Sequence, residues 1–138
     1  MNSTPQNLAD LTGRILLAIM FLLAGLQKIG GYAGTQGYME AMGVPGALLP
    51  LVIALEVGGA VAIIAGWRVR LVAFLLAGFT LLSALIFHRA PGDATQAILF
   101  MKNLAIAGGF LLLVARGAGG WSLDARRQSL TEPEARRA

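Results

Sequence analysis

The chain has no cysteine, one histidine (His88), and charged side chains at only 13% of its 138 positions. Without a thiol there is no disulfide relay, no iron–sulfur cluster and no thiolate nucleophile. With one imidazole a bis-histidine haem cannot be built within a single chain. A zinc site would need several carboxylates that the apolar stretches do not supply, so no metal is expected. The scarcity of charge excludes a larger class: at 57% hydrophobic residues the composition is too apolar for a soluble domain of this length. The formal net charge of +4 does not point to nucleic acid, because the basic residues stand at the ends of apolar runs and in the C-terminal segment.

What the sequence does contain is four apolar runs, at about 11–28, 46–66, 70–88 and 95–115. A helix needs about 20 apolar residues to cross a hydrocarbon core roughly 30 Å thick, so each run is one crossing. The expected fold is an all-α membrane protein: a four-transmembrane-helix bundle over residues 11–116, preceded by an N-terminal segment 1–10 and followed by a polar, flexible tail 117–138. The first run looks like a signal peptide but nearly lacks the charged region that precedes one, and it is read as retained. Gly30-Gly31 closes it, and a short amphipathic turn around 38–42 is expected at the interface. Gly66-Trp67-Arg68-Val69-Arg70 makes a tight basic turn, and Pro91-Gly92-Asp93 makes the last one. Four crossings put both termini on one side. Arg14, Arg68, Arg70, Arg116, Arg126, Arg127, Arg136 and Arg137 lie there, against Lys28 and Arg89 opposite. That asymmetry predicts both termini in the cytoplasm.

Small residues at helical spacing (Gly58, Ala62 and Gly66 in the second run, Ala105 and Gly109 in the fourth) are read as flat packing faces without chemistry. The polar residues within the runs carry the functional signal. Glu56 lies some 15 Å from the start of its helix, near the midplane, where a carboxylate costs about 2.5–3.5 kcal/mol. It either takes up a proton or pairs with a cation. Lys102 enters the fourth run from the same face and could reach that level, with Asn103 adding a hydrogen bond. Arg14 could also turn inward, since Ala18, Phe21 and Gly25 share its helix face, or could snorkel back to the headgroups. At the opposite mouth Gln27, Lys28, His88 and Arg89 cap the first and third runs and could ring a cavity. For Lys28 and Arg89 alone, contact with the last helical carbonyls and headgroup phosphates is the preferred explanation of their position. Glu56 and Lys102 are the expected proton-transfer or ion pair, while Arg14, Gln27, Lys28, His88 and Asn103 are the expected ligand contacts.

With these residues in place the chain resembles the DoxX family of small bacterial membrane proteins. The match rests on Gly13-Arg14, Phe21-Leu22-Leu23-Ala24-Gly25-Leu26-Gln27-Lys28, Glu56-Val57-Gly58-Gly59 with Gly66, and the His88 end of the third run. Further on, it rests on Phe100-Met101-Lys102-Asn103-Leu104 with Gly108-Gly109, and on Gly119-Gly120-Trp121-Ser122-Leu123-Asp124. The resemblance implies a multi-pass protein of the bacterial inner membrane, similar to the small subunit of a thiosulfate:quinone oxidoreductase and to members tied to oxidative or thiol stress.

Two readings follow. As a quinone-linked redox subunit, the chain would hold a quinone in an apolar slot, bind no cofactor covalently, and receive electrons from a protein partner, since it has no carrier of its own. As a non-catalytic anchor or assembly factor, its buried polar residues would serve packing, and its partner would be another protein or a second copy. A small transporter or channel subunit would require oligomerisation, because four spans are few and no inverted repeat is visible.

Overall fold

The computed structural model describes residues 3–135 and is helical almost throughout. Helix α1 covers Thr4–Gly30, α2 Tyr32–Ala41, α3 Gly46–Ala65, α4 Val69–Phe87, α5 Ala94–Arg116 and α6 Leu123–Ala135. Four of these, α1, α3, α4 and α5, are long and apolar enough to cross a membrane. The first begins within the segment expected to precede it, and the connection after it is a full helix, α2, rather than one short turn.

In lipid there is little hydrophobic force between helices, so close approach depends on small side chains and satisfied polar groups. Helix α1 turns Arg14, Ala18, Phe21 and Gly25 inward, steps of four, three and four that keep one face of a helix on its neighbours. It lies along α3, α3 also meets α4, and α4 and α5 form the most extensive pair. Helix α1 touches α5 where the rings of Phe21 and Phe110 meet edge to face, 5.4 Å apart. Leu16, Leu51, Leu82 and Leu112, one on each spanning helix, face outward toward lipid.

Helix α3 is not uniform. A 3₁₀ turn at Gly46–Leu48 leads into α turns, and a π turn at Ala54–Gly58 interrupts them before the helix resumes at Gly59. A π turn holds one residue more than an α turn, so everything after it is displaced by one position. The expected small-residue face changes accordingly. Gly58 is exposed with open space beside it, whereas Ala62 and Gly66 of that face are buried together with Gly59, Ala60 and Ile63, Gly59 lying against Leu76 of α4.

The end of the bundle that carries both termini is closed by hydrogen bonds rather than by apolar packing. Arg14 is fully buried, and its Nη1 donates to the carbonyls of Ile63 at 3.1 Å and Ile64 at 2.9 Å. Nη2 donates to the carbonyl of Trp121, and Nε has no acceptor among the described residues. The last carbonyls of a helix have no partner in the helix itself, and a cation suits the negative end of its dipole. Gly66 ends α3 in the left-handed region (φ 76°). A Cβ there would overlap Ser122 and stand 2.6 Å from Arg14 Nη1, so both conformation and space require glycine.

The segment from Gly117 to Asp124 completes this closure. Its Ala118 and Ser122 are buried, Gly120 N donates to Asn7 Oδ1 at 3.0 Å, and Asp124 N donates to the carbonyl of Gly66 at 2.8 Å. The Asp124 carboxylate accepts from the backbone N–H of Arg68 (2.8 Å) and of Val69 (2.9 Å), capping α4 from a distant part of the chain. Arg68 sits at φ 45°, an uncommon conformation for a side-chain-bearing residue, and this bond holds it there. Over the described residues, the stretch expected as a flexible tail from residue 117 forms a docked loop followed by α6. Arg136 and Arg137, counted among the terminal cations, lie outside the described residues.

Replacing Asp124 by alanine removes both cap acceptors and is expected to cost about 1–2 kcal/mol. Circular dichroism melts of the detergent-solubilised protein read this as a lower transition. Asp124→Asn, which keeps one acceptor, should lose less, and an unchanged transition in Asp124→Ala would show the cap to be dispensable.

Candidate functional site

Within the spanning region one carboxylate is buried, Glu56, and it lies in the π turn of α3. Turns of this kind cluster at functional positions, because the extra residue re-aims a side chain that a regular helix would send elsewhere. The partner of Glu56 is Lys28. Its Nζ stands 3.0 Å from Oε1 and 3.0 Å from Oε2, and this is the only ion pair among the described residues. Lys28 is 27% exposed while Glu56 is 5%, so the pair opens toward its ammonium side.

Gly25 makes the pairing possible. A Cβ on Gly25 would stand 2.6 Å from Val57 Cγ2 and 3.2 Å from the Glu56 Cβ, so α1 and α3 approach closely there because the side chain is missing. Lys28 is three residues further along, one helical turn on the same face, and its stem crosses the remaining gap.

Lys102, expected opposite Glu56, is not part of this centre. Helix α5 packs mainly on α4, whereas Glu56 faces α1, so the ammonium of Lys102 starts on the wrong side of the bundle. Lys102 is exposed, and neither it nor the half-buried Asn103 makes a side-chain hydrogen bond or ion pair among the described residues. Arg14 turns inward as one alternative had it, but onto helix-end carbonyls rather than onto Glu56.

The expected ring of mouth residues divides in two. Lys28 turns in to Glu56, and Gln27 is exposed. His88 and Arg89, at the end of α4, line a separate open cavity of about 600 Å³ whose floor is largely apolar: Ala97, Phe100 and Met101 of α5. His88 Nδ1 lies 2.8 Å from Gln96 Oε1. An amide oxygen only accepts, so Nδ1 carries the proton and Nε2 is left as the acceptor of the ring. Asp93 caps α5 by accepting from Thr95 N (2.9 Å) and Gln96 N (3.2 Å), which sets the turn that brings Gln96 back to His88. Tyr38 of α2 stacks on Phe87 with ring centres 5.4 Å apart, tying the first connection to the same end of the bundle.

Gln96 was absent from the sequence reading. Its signal was a polar residue in the first turn of the fourth run, just across the Pro91-Gly92-Asp93 turn from His88. No group of metal-binding side chains occurs among the described residues.

Comparison with known proteins bears on this arrangement. A family model described as DoxX matches residues 9–89, which include Arg14, Gly25, Lys28, Glu56 and His88. The chain is 54% identical to the inner membrane protein YqjF of Escherichia coli (strain K12) over 119 residues, 86% of this chain and 92% of that protein. It is 40% identical to the inner membrane protein YphA of the same organism over 123 residues, covering 84% and 88% of the two chains. No solved structure matches the chain.

If Lys28 is the counter-charge of Glu56, Lys28→Met leaves a buried carboxylate unpaired and should cost about 3 kcal/mol, as breaking such pairs does. The double variant Lys28→Met/Glu56→Gln should recover most of that loss, and Lys102→Met should leave the melting transition where it is. A double-mutant cycle of thermal melts checks this, and an equal loss in Lys102→Met would break the assignment.

Proposed function

The chain belongs to the DoxX family and is a multi-pass protein of the bacterial inner membrane, and from that premise we propose that it is the quinone-holding membrane subunit of a redox enzyme whose electrons arrive through a partner chain. The observation that carries this reading is the cavity between His88 and Met101. Its volume of about 600 Å³ lies within the range of small-molecule sites, and its composition is of their kind: apolar walls with a few polar groups.

A quinone head presents a flat apolar ring and two carbonyl oxygens. Ala97, Phe100 and Met101 offer surface for the ring, the Arg89 guanidinium offers donors for a carbonyl oxygen, and His88 Nε2 would accept from a hydroxyl of the reduced quinol. Bound there, a quinone would supply the two-electron, two-proton carrier that the polypeptide lacks. The role of His88 is proton exchange. Gln96 holds Nδ1 as donor, which orients the ring and leaves Nε2 as the atom that takes up or returns a proton. The chain has no cysteine, and His88 is its one histidine, which is why the electron source is assigned to another protein.

A short-chain ubiquinone analogue should raise the thermal transition of the purified protein, since a ligand at 100 times its dissociation constant stabilises by about 2.7 kcal/mol. His88→Ala, checked for unchanged helicity, should lose the shift. No shift in the wild type, together with no quinone in an organic extract of the membrane-purified protein, would refute the reading.

A second reading, a non-catalytic anchor or assembly factor for a partner enzyme, is favoured by one feature: the charge of Glu56 is met within the bundle by Lys28. Such an ion pair can fix helix register and do nothing else. Glu56→Gln in the intact complex separates the two roles of that pair. Survival of both assembly and activity makes it structural, whereas assembly without activity places it in the chemistry.

A further inference from the structure

The end of the bundle opposite the His88 cavity carries a second concavity, of about 900 Å³, with a different character. Four arginines line it: Arg68 and Arg70 at the start of α4, Arg116 at the end of α5, and Arg127 on α6. All four are exposed, and none has a carboxylate partner among the described residues. The one acidic residue in the wall, Asp124, has each of its oxygens already accepting a backbone N–H, from Arg68 and from Val69. The groove therefore sets four guanidinium groups against the single carboxylate in its wall, and guanidinium is the side chain whose geometry best matches phosphate oxygens.

The groove is also held in shape. The Arg70 guanidinium lies across the turn after α5, where a Cβ on Gly117 would be 3.4 Å from its Nε, so α4 and α5 are joined beneath the charge. The loop that closes the far side is pinned by Asn7, Arg14 and Asp124. Position selects the ligand. Three of the arginines, Arg68, Arg70 and Arg116, sit at the ends of spanning helices, beside the exposed Leu71 and the exposed Trp67, whose ring lies 5.4 Å from the Arg68 guanidinium. Exposed tryptophan and leucine next to basic residues are what the headgroup level of a bilayer accommodates.

We propose that the groove lined by Arg68, Arg70, Arg116 and Arg127 is a binding site for the phosphate of an anionic phospholipid headgroup. Polybasic surfaces at helix ends attract anionic lipid in general, but a walled groove fixes one molecule in place. A lipid bound there would join α4, α5 and α6 and so brace the same end that the Arg14 hydrogen bonds close.

Native mass spectrometry of the full chain in mild detergent, titrated with dioleoyl phosphatidylglycerol and with dioleoyl phosphatidylcholine, tests this. The anionic lipid should bind at least tenfold more tightly. Arg70→Gln/Arg116→Gln should weaken it about tenfold or more, in line with the contribution of each basic residue at an anionic surface. Lys102→Gln/Arg126→Gln, which removes two positive charges outside the groove, should leave the affinity unchanged. If the first double variant loses helicity, Arg116→Gln/Arg127→Gln replaces it. Equal weakening by the off-groove variant, or no preference over phosphatidylcholine, would overturn the proposal. Displacement of the lipid by millimolar inorganic phosphate would overturn it as well, by making the groove a site for a soluble anion.

Discussion

Three carbonyl oxygens from two separate parts of the chain converge on the guanidinium of Arg14, and the arrangement of one whole end of the molecule follows from meeting that demand. A buried guanidinium without acceptors is too costly to keep. The helix-end carbonyls of Ile63 and Ile64 are in the complementary position: that of Ile63 accepts from the Gly66 N–H at 3.2 Å and has a second lone pair to offer, and both stand at the negative end of α3. Bringing them together requires α1 to lie against the end of α3, a glycine at position 66 to make room, and the stretch around Trp121 to fold back over the top. Once it has folded back, Asp124 is placed to cap α4. One side chain thus connects the first helix, the turn between the second and third spans, and the segment after the fourth.

The opposite end is organised differently. There Gly25 lets α1 and α3 approach, Lys28 reaches Glu56, and the turn after α4 brings His88 against Gln96. The first of these sites is covered on its carboxylate side and open on its ammonium side, and the second opens onto an apolar cavity. The polar residues of the spans therefore do not form one interior cluster. They separate into a hydrogen-bonded closure, an ion pair and a ligand-sized recess, with the apolar core around Phe21, Ile63, Leu76 and Phe110 between the two ends.

The four spans were legible because a crossing helix must be apolar along its whole length, and the sequence displays that requirement directly. The inward face of α1 was legible too, from the spacing of Arg14, Ala18, Phe21 and Gly25. The same spacing carried one step further reaches Lys28, which is how the true partner of Glu56 could have been found. Two things concealed it. Regular helical rise misplaces depth along α3, which contains a 3₁₀ turn and a π turn, and the contact of α5 with α4 rather than with α3 is a tertiary fact that no local pattern records. The polar stretch after α5 misled for a related reason. Its glycines and charges have the composition of a loose tail, yet its bonding partners stand on helices far away in sequence, so the order it adopts is invisible locally.

That long separation has a consequence in time. Arg14 and Trp121 are 107 positions apart, and Asn7 and Gly120 are 113 apart. During synthesis the first helix enters the bilayer carrying a charge whose final acceptor is made only after the last span has emerged. Two acceptors, the carbonyls of Ile63 and Ile64, come with the second span, and the third, that of Trp121, completes the set only after the fourth. The seating of Arg14 is thus begun early and finished late, by the newest segment of the chain.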